Sequence, residues 1–570
     1  MNKRFFLALV LTAIVIVVTP LLFPSAMRRS AIGSTDSTAA KISTSTVSTR
    51  ETASGIVPAV TPSVERANSV QTTLKAPIVG VPDSAIVRTL KSAFTFSNHG
   101  AAPTAVVLDS FPSLRRNSAR VAANLVAPRH SLTRYWLALD RDTVLLDTVV
   151  FRQEPAYVPG TQGISYVADV SGHSVRLSYD FASDKADEYL TRVSAAVSNA
   201  PAGSTLLLEL PQTLRSNEAD TLDDLNHLAV SYRPTRGEVT SISFSKLDSV
   251  EVRAEPGPIN WVATRNKYFL VVYRATKTPF SQLRLQGAPR QGKVAPIMLA
   301  RTALPLAADG TAAFELYAGP QNFERLQHLG GDLDQVNPYA GWLHGAVQPF
   351  ATMVMRALLW MKRTTQLNYG WVLVLFGIMV RLVLWPLNQG AMRTSMKMQR
   401  LQPELQALQK KYKDDPKKQQ EAIMKVYKDH GMSPLSPIMG CLPMLLPMPV
   451  LFALYYVFQN TIEFRGVPFL WLPDISLADP YYITPLLMGV SMFVMSWIGM
   501  RNAPPNPQAK MMTIMMPVML TVLFLNFASG LNLYYAIQNI AAIPQQWLLA
   551  RERSKSTAAA ALEPAFRARS

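Results

Sequence analysis

Arg381 is the only Lys, Arg, Asp or Glu inside five apolar runs, residues 369–387, 438–458, 481–500, 511–526 and 531–549. A cation at the centre of a membrane helix costs roughly 2.5–3.5 kcal/mol on insertion scales. Its stretch, FGIMVRLVLWPLNQ (376–389), puts it six residues before Leu387, about 9 Å of helix rise from the end of the run. Two uses of such a charge compete. It can snorkel to headgroups, or it can sit in a wet recess and attract an anionic group from another molecule. The other runs favour the second use. Residues 531–549 hold Tyr534, Tyr535, Gln538 and Asn539, with Gln545 and Gln546 near the end. In hydrocarbon such groups need partners or water. Tyr535, Gln538 and Asn539 lie at helical spacing and are expected to share a face. Pro443, Pro447 and Pro449 interrupt the run 438–458, each removing a helical hydrogen bond. Irregular backbone at membrane depth is tolerated where it lines protein or water. These residues together predict a polar recess around an arginine that has no acidic partner.

Catalytic chemistry finds little support. GAPRQGKV (287–294) imitates a phosphate-binding loop but has Val294 where Ser or Thr would hold magnesium. It also lies among strands. The seven histidines are scattered, with none in an apolar run and no pair at metal-ligand spacing. No nucleophile elbow or zinc-protease helix is present. The expectation is a non-enzyme with no metal, no cofactor and no small-molecule substrate. Cys441 is the one cysteine, so no intrachain disulfide supports the fold.

The elements that must position Arg381 follow from the distribution of apolar residues. At 570 residues the chain is too long for one compact domain. Its 49% apolar and 16% charged composition leans towards a membrane protein, but the apolar density lies in the first 25 residues and beyond about 345. Residues 1–29 read as an N-terminal anchor, FFLALVLTAIVIVVTPLLF following Lys3 and Arg4. A cleaved signal peptide has the same charge order. Residues 30–79 read as a flexible tether, since 18 of the 47 positions in 30–76 are Ser or Thr. Residues 80–345 carry short runs rich in β-branched and aromatic residues: IVRTLKSAFTF, TVLLDTVVF, SVRLSYDF, TSISFSKL and NKYFLVVYRA. Turn residues separate them, which predicts a β-sandwich. A helical stretch is expected from Gly319-Pro320 to about Tyr339. Residues 346–366 read as an interfacial amphipathic helix, with Phe350, Met353, Val354, Ala357, Leu358 and Met361 on one side and Arg356 and Arg363 on the other.

The C-terminal core, 367–550, contains the five runs and a hairpin at 388–432. Met398, Leu401, Leu405, Leu408 and Tyr412 form a heptad seam, DDPKK (414–418) breaks it, and Ala422, Ile423, Val426 and Tyr427 form a second stripe. The hairpin exterior is basic, with Arg400, Lys410, Lys411, Lys413, Lys417 and Lys418. Anionic lipid headgroups and ribosomal RNA are its expected partners. The formal charge of +18 fits a basic membrane face, and no nucleic-acid module is recognisable. Residues 388–432 carry ten basic and five acidic side chains, whereas 459–480 hold Arg465 against Glu463, Asp474 and Asp479. The positive-inside rule puts the hairpin, the 501–510 loop and the 551–570 tail in the cytoplasm. With the anchor counted, six spans put both termini there and the β-domain outside.

The chain resembles the YidC–Oxa–Alb family of membrane-protein insertases. The likeness is carried by YAGWLHGAVQPF, VRLVLWPL, MKMQRLQPELQALQKKYKDD, SPLSPIMGCLPMLLPMPVLFALYY, DPYYITPLLMGVSMF and MMPVMLTVLFLNFASGLNLYYAIQNI, in that order. It implies a multi-domain inner-membrane protein: an all-α six-span bundle, five helices plus the anchor, with a periplasmic β-supersandwich of galactose-mutarotase type. It implies that Arg381 is the groove arginine, with Tyr535, Gln538 and Asn539 lining the groove. Met448, Val450, Leu451, Leu523 and Phe524 would form the path along which a client's apolar segment slides. Nascent integral membrane proteins are the implied substrates, inserted alone or with the Sec translocon (SecYEG, SecDF), with the ribosome and signal recognition pathway as further partners. Chaperone-like folding of polytopic proteins is also implied. Pro447, Ser433 and Asn526 depart from the family's usual glutamine, asparagine and apolar residue. Two other classes suit parts of the sequence. A transporter or anion channel would use the same arginine, but inverted repeats and paired broken helices are absent. A membrane-anchored sugar sensor would use the β-domain, but needs fewer spans.

Overall fold

In a computed structural model, the described residues are 83–116, 121–140, 142–155, 162–181, 188–246, 252–288, 297–337, 344–386, parts of 389–412, 415–430, 448–500 and 507–567. The expected anchor, the tether, Cys441, Pro443 and Pro447 lie outside them.

Two antiparallel sheets make the β-domain. The smaller runs β1 (Ser84–Arg88), β2 (Ser92–Ser97), β3 (Ala102–Pro112), β4 (Ala122–Asn124) in spatial order. The larger contains β5 (Arg134–Leu139), β6 (Asp142–Leu145), β7 (Arg152–Pro155), β8 (Gln162–Val170), β9 (His173–Phe181), β10 (Leu190–Val197) and β11 (Thr205–Glu209). It continues with β12 (Ala229–Pro234), β13 (Thr240–Ser243), β14 (Val252–Arg265), β15 (Phe269–Ala275), β16 (Phe280–Gly287), β17 (Met298–Pro305) and β18 (Thr311–Pro320). Period-two burial decides which face points inward. On β9, Val175, Leu177, Tyr179 and Phe181 are buried while Arg176 is exposed. β15 is buried on both faces from Phe269 to Tyr273, matching its unbroken apolar run FLVVY. The sheets share one core, where the Phe94 ring lies 5.0 Å from Phe181 and the Phe96 ring 4.7 Å from Tyr179.

Several local expectations change. IVRTLKSAFTF is a hairpin, β1 and β2, because Thr89 N–H bonds Ser92 O at 2.8 Å and turns the chain. TVLLDTVVF leaves the sheet after Leu145 in a short 3₁₀ turn. Strand β18 runs through Pro320, so the helical stretch starts later. Helix α1 (Thr221–Asn226) interrupts the strands, with the Asp220 carboxylate accepting from Asp223 N–H. The next helix, α2 (Phe323–Leu329), is capped by the Asn322 side chain.

Helix α3 (His344–Thr365) starts two residues before and ends one residue before the expected 346–366. It buries Val347, Ala351, Val354, Met355, Leu358 and Met361. Phe350, Met353 and Trp360 are exposed beside Arg356 and Arg363. A 117° bend separates α3 from α4 (Tyr369–Val383), whose N-terminus is capped by Asn368 Oδ1, 2.9 Å from Gly370 N. α4 stops at Val383 with Leu384 as its C-cap, and helical backbone resumes at Trp385 and Pro386. Helix α5 (Pro416–Asp429) begins where DDPKK breaks the hairpin, with Asp415 as N-cap and Pro416 in the first turn. Its Val426 and Tyr427 bury against Leu401 and Leu405, with Leu408 and Ile423 alongside. The two predicted stripes therefore meet. Then come α6 (Met448–Asn460), α7 (Ile483–Met500), α8 (Pro507–Phe524) and α9 (Ser529–Arg567).

Apolar side chains are exposed at helical spacing on several of these helices. On α4 they are Trp371, Leu375, Ile378 and Leu382; on α7, Ile483, Leu486, Val490, Phe493 and Trp497. On α8, Ile514, Val518 and Val522 are exposed. Stripes of this extent are adhesive in water and suited to acyl chains. Among the described residues only α7 is long and apolar enough to span on its own. α4, at 15 residues, rises about 22 Å against a hydrocarbon core of about 30 Å.

The loop 461–480, between α6 and α7, meets the β-domain at two carboxylates. Arg465 Nε donates to Glu218 Oε1 at 2.8 Å, with both side chains sealed. Asn322 Nδ2 donates to Glu463 Oε1 at 2.8 Å, while Glu463 Oε2 is buried without a partner among the described residues. Glu463 lines a cavity of about 20 Å³ together with Thr461, Asn337 and Asp334. Burial, reinforced by nearby Glu324, pushes the Glu463 carboxyl from 4.5 up to about 7. Burial outweighs Arg465 to push Glu218 the same way, to about 7. Between pH 4.5 and about 7 the folded chain holds a Glu463 proton that the unfolded chain has released. Stability should therefore fall as pH rises through that window, by roughly 3 kcal/mol for this group alone. Melting of the full chain in detergent between pH 5 and 7.5 checks this. Glu463→Gln should flatten part of the slope, and an unchanged slope would contradict the assignment.

Candidate functional site

Helices α4 and α9 carry the polar residues singled out in the sequence. Arg381 is half-buried near the C-terminal end of α4. Its Nη2 donates to Gln545 Oε1 at 2.7 Å. Gln545 is 2% exposed, and its Nε2 donates to the Trp385 carbonyl at 3.3 Å. Arg381 Nε has no partner among the described residues, and no carboxylate there pairs with the guanidinium. A cation held by one neutral amide keeps most of its charge available to an incoming anion, because the amide contributes only a dipole.

Seven residues earlier on α9, Gln538 repeats the contact. Its Nε2 donates to the Gly377 carbonyl and to Tyr534 Oη, both at 3.0 Å. A side chain at Gly377 would press on Ile537, since a Cβ there lies 3.1 Å from Ile537 Cγ2. Gln538 and Gln545, two helical turns apart, therefore tie one face of α9 to α4. The Tyr534 ring, 5.9 Å from Phe376, closes that contact on the side away from Arg381.

Tyr535, Gln538 and Asn539 lie within one arc of α9, but each reaches a different helix. Gln538 faces α4. Asn539 turns to α7, where its Nδ2 lies 3.4 Å from the Met488 carbonyl and 3.3 Å from Ser491 Oγ. Tyr535 turns to α8 and meets Phe524 edge-on at 5.6 Å. Positions 535, 538 and 539 span about 100° of the helix surface, enough for a surrounded helix to meet three neighbours. Gln545 and Tyr534 complete the contact with α4. The seven-residue interval between the two glutamines is the sequence signal for that pairing.

The remaining site residues divide as follows. Val450 and Leu523 are half-buried, and the side chains of Met448 and Leu451 lie outside the description. Phe524 is buried, its ring 4.6 Å from Phe527. On the hairpin, Lys411, Lys417 and Lys418 are exposed, and Lys418 Nζ lies 3.3 Å from Asp415. Arg400, Lys410 and Lys413 lie outside the described residues. Among the described residues no cluster of His, Cys, Asp and Glu is arranged to hold a metal ion.

Two family models match in tandem, the YidC periplasmic domain over residues 97–353 and the 60Kd inner membrane protein over residues 360–556. The membrane protein insertase YidC of Chlorobaculum tepidum is 30% identical over 502 residues, covering 83% of this chain and 82% of its own length. The chain belongs to the YidC family. That of Anaeromyxobacter dehalogenans is 35% identical over 311 residues, 54% of each chain. A crystal structure of an active YidC insertase with its first transmembrane domain resolved covers 83% of this chain and 94% of its own, with 19% identity and a TM-score of 0.33. A galactose mutarotase related enzyme from Lactobacillus acidophilus covers 41% of the chain and 97% of its own, with 9% identity and a TM-score of 0.29. Membership rests on the sequence matches. Within this YidC-family chain, the large sheet region falls in the periplasmic-domain match, and Arg381, Gln538 and Gln545 fall in the inner-membrane match.

Proposed function

We propose that this chain is an inner-membrane insertase and chaperone for integral membrane proteins, working without chemical catalysis. The observation that carries the reading is Arg381, a lone cation among five apolar runs, held by Gln545 and by no carboxylate among the described residues. In this reading Arg381, Tyr535, Gln538 and Asn539 belong to a hydrophilic groove open to the cytoplasm. The groove receives the polar tail of a short client. The client's apolar segment slides past Met448, Val450, Leu451, Leu523 and Phe524 into lipid. Burial of apolar surface, roughly 25 cal/mol per Å², drives the step, and membrane potential adds about 2.3 kcal/mol per charge per 100 mV. Helices shorter than the bilayer, such as α4, support a locally thinned membrane at the site.

The same reading takes six spans, with both termini and the basic hairpin in the cytoplasm and the β-domain in the periplasm. The exposed Lys417 and Lys418 suit anionic headgroups or ribosomal RNA. Cooperation with the Sec translocon and the signal recognition pathway belongs to the same proposal, and family membership supports it. Reconstitution of the full chain in vesicles tests the core of the proposal. Insertion of a two-span client with a short acidic tail should rise at least about tenfold over protein-free vesicles, an effect of about 1.4 kcal/mol on the barrier. Normal spontaneous insertion, together with an anion flux that depends on Arg381, would favour a channel instead.

A further inference from the structure

The loop 461–480 is bonded to the β-domain at one end and to the start of α9 at the other. Arg465 is 9% exposed. Besides its bond to Glu218, its Nη2 donates to the Asn217 carbonyl at 3.1 Å, and its guanidinium lies 5.4 Å from the Phe269 ring. Two residues on, the Val467 carbonyl accepts from Ile475 N–H at 3.0 Å. Ile475 O then accepts from Gly530 N–H at 2.9 Å, and Leu477 O from Ser529 N–H at 2.7 Å. Ser529 and Gly530 are the first residues of α9, the helix that carries Gln538 and Gln545. Farther along the loop, Asp479 accepts from Thr484 N–H at 2.7 Å and so caps α7. A path of polar contacts along the loop therefore leads from Glu218 in the β-domain to α9, whose Gln545 bonds Arg381.

We infer that Arg465 is a positioning residue for insertion, anchoring the loop on Glu218 so that α9 keeps its register against α4. This inference rests on the groove reading above. Loop packing alone would not require a charge here, since a buried pair must recover the desolvation of both ions. The pair adds one fixed geometry: a guanidinium with two directional bonds admits few alternative loop placements. Removing Arg465 takes away its bonds to Glu218 and the Asn217 carbonyl and leaves both buried acceptors without that donor, so the anchor should fail sharply.

The experiment uses the full chain in lipid vesicles with Arg465→Met, Arg465→Lys and Glu218→Gln. Hydrogen exchange at the Ser529 and Gly530 amides reports the register of α9 without reference to any client. Arg465→Met should speed that exchange by about 100-fold and slow insertion of the acidic-tailed client by about tenfold. Arg465→Lys should recover most of both, and Glu218→Gln should shift both in the same direction by less. A generally destabilised protein would instead exchange faster throughout, and lysine would restore nothing. Unchanged protection at Ser529 and Gly530 in Arg465→Met overturns the inference. If the wild-type chain fails to insert the client, the groove reading falls, while the amide exchange still decides whether Arg465 sets the register.

Discussion

Replacing Arg381 with alanine should slow insertion of a client with an acidic tail by about tenfold and leave a purely apolar client within about twofold. At roughly 4 Å, opposite charges attract by about 4 kcal/mol at an effective dielectric of 20. Water in the recess reduces that, and about a third of it suffices for the tenfold effect. The helix contact should survive the substitution. Gln545 keeps its bond to the Trp385 carbonyl, and Gln538 keeps Gly377 and Tyr534. Arg381→Lys should retain much of the activity, since the charge remains although the bond geometry changes. The measurement is the rate of protease protection for matched clients that differ only in tail charge. Equal losses for acidic and apolar clients would mean that alanine damages the fold and that capture is not electrostatic.

Gly530→Val should be the most damaging single change outside the arginine. A Cβ at Gly530 lies 2.5 Å from Phe458 Cε1 and 3.1 Å from the Ile475 carbonyl. The phenyl ring is a buried side chain of α6 and the carbonyl belongs to the backbone of the loop 461–480, so the ring has little room to turn and the carbonyl cannot yield without moving the loop. Overpacking of this kind costs typically 1–3 kcal/mol. Here it also strains the bond from Gly530 N–H to Ile475 O. The expected result is a several-fold lower yield of folded protein from membranes, read by resistance to detergent aggregation. Phe458→Leu introduced with Gly530→Val should restore part of the yield, because it removes the ring but not the carbonyl contact. No loss in the single variant would show that the turn is looser than its packing implies.

Much of this arrangement was legible in the sequence where one physical rule dominated. SVRLSYDF and NKYFLVVYRA marked β9 and β15 as strands through their β-branched and aromatic residues, whereas the one-sided burial of β9 and the two-sided burial of β15 are set by the sheet around them. DDPKK marked the break between the two stripes, and α5 starts inside it because the Asp415 cap and the fixed φ of Pro416 act within a single turn. The hairpin core of Leu401, Leu405, Val426 and Tyr427 followed from two stripes that had only each other to cover. The sequence was less informative where a residue had several helices to choose from. Tyr535, Gln538 and Asn539 look alike as polar positions on one helix, yet they reach α8, α4 and α7. Only the packing of four helices decides among those faces. Arg465 looked like an ordinary loop charge because its partner, Glu218, is 247 residues away. The Arg381–Gln545 contact was hidden similarly, across 164 residues.

The central claim is that Arg381 meets the polar part of a client during insertion. A site-specific crosslinking scan from positions 381, 448 and 535 to a ribosome-stalled two-span client tests it most directly, with exposed Val490 on α7 as the control. The groove reading predicts crosslinks from 381 and 535 to the client's polar tail and from 448 to its apolar segment, with little from 490. A client that inserts at the normal rate while crosslinking at 490 and never at 381 would contradict it.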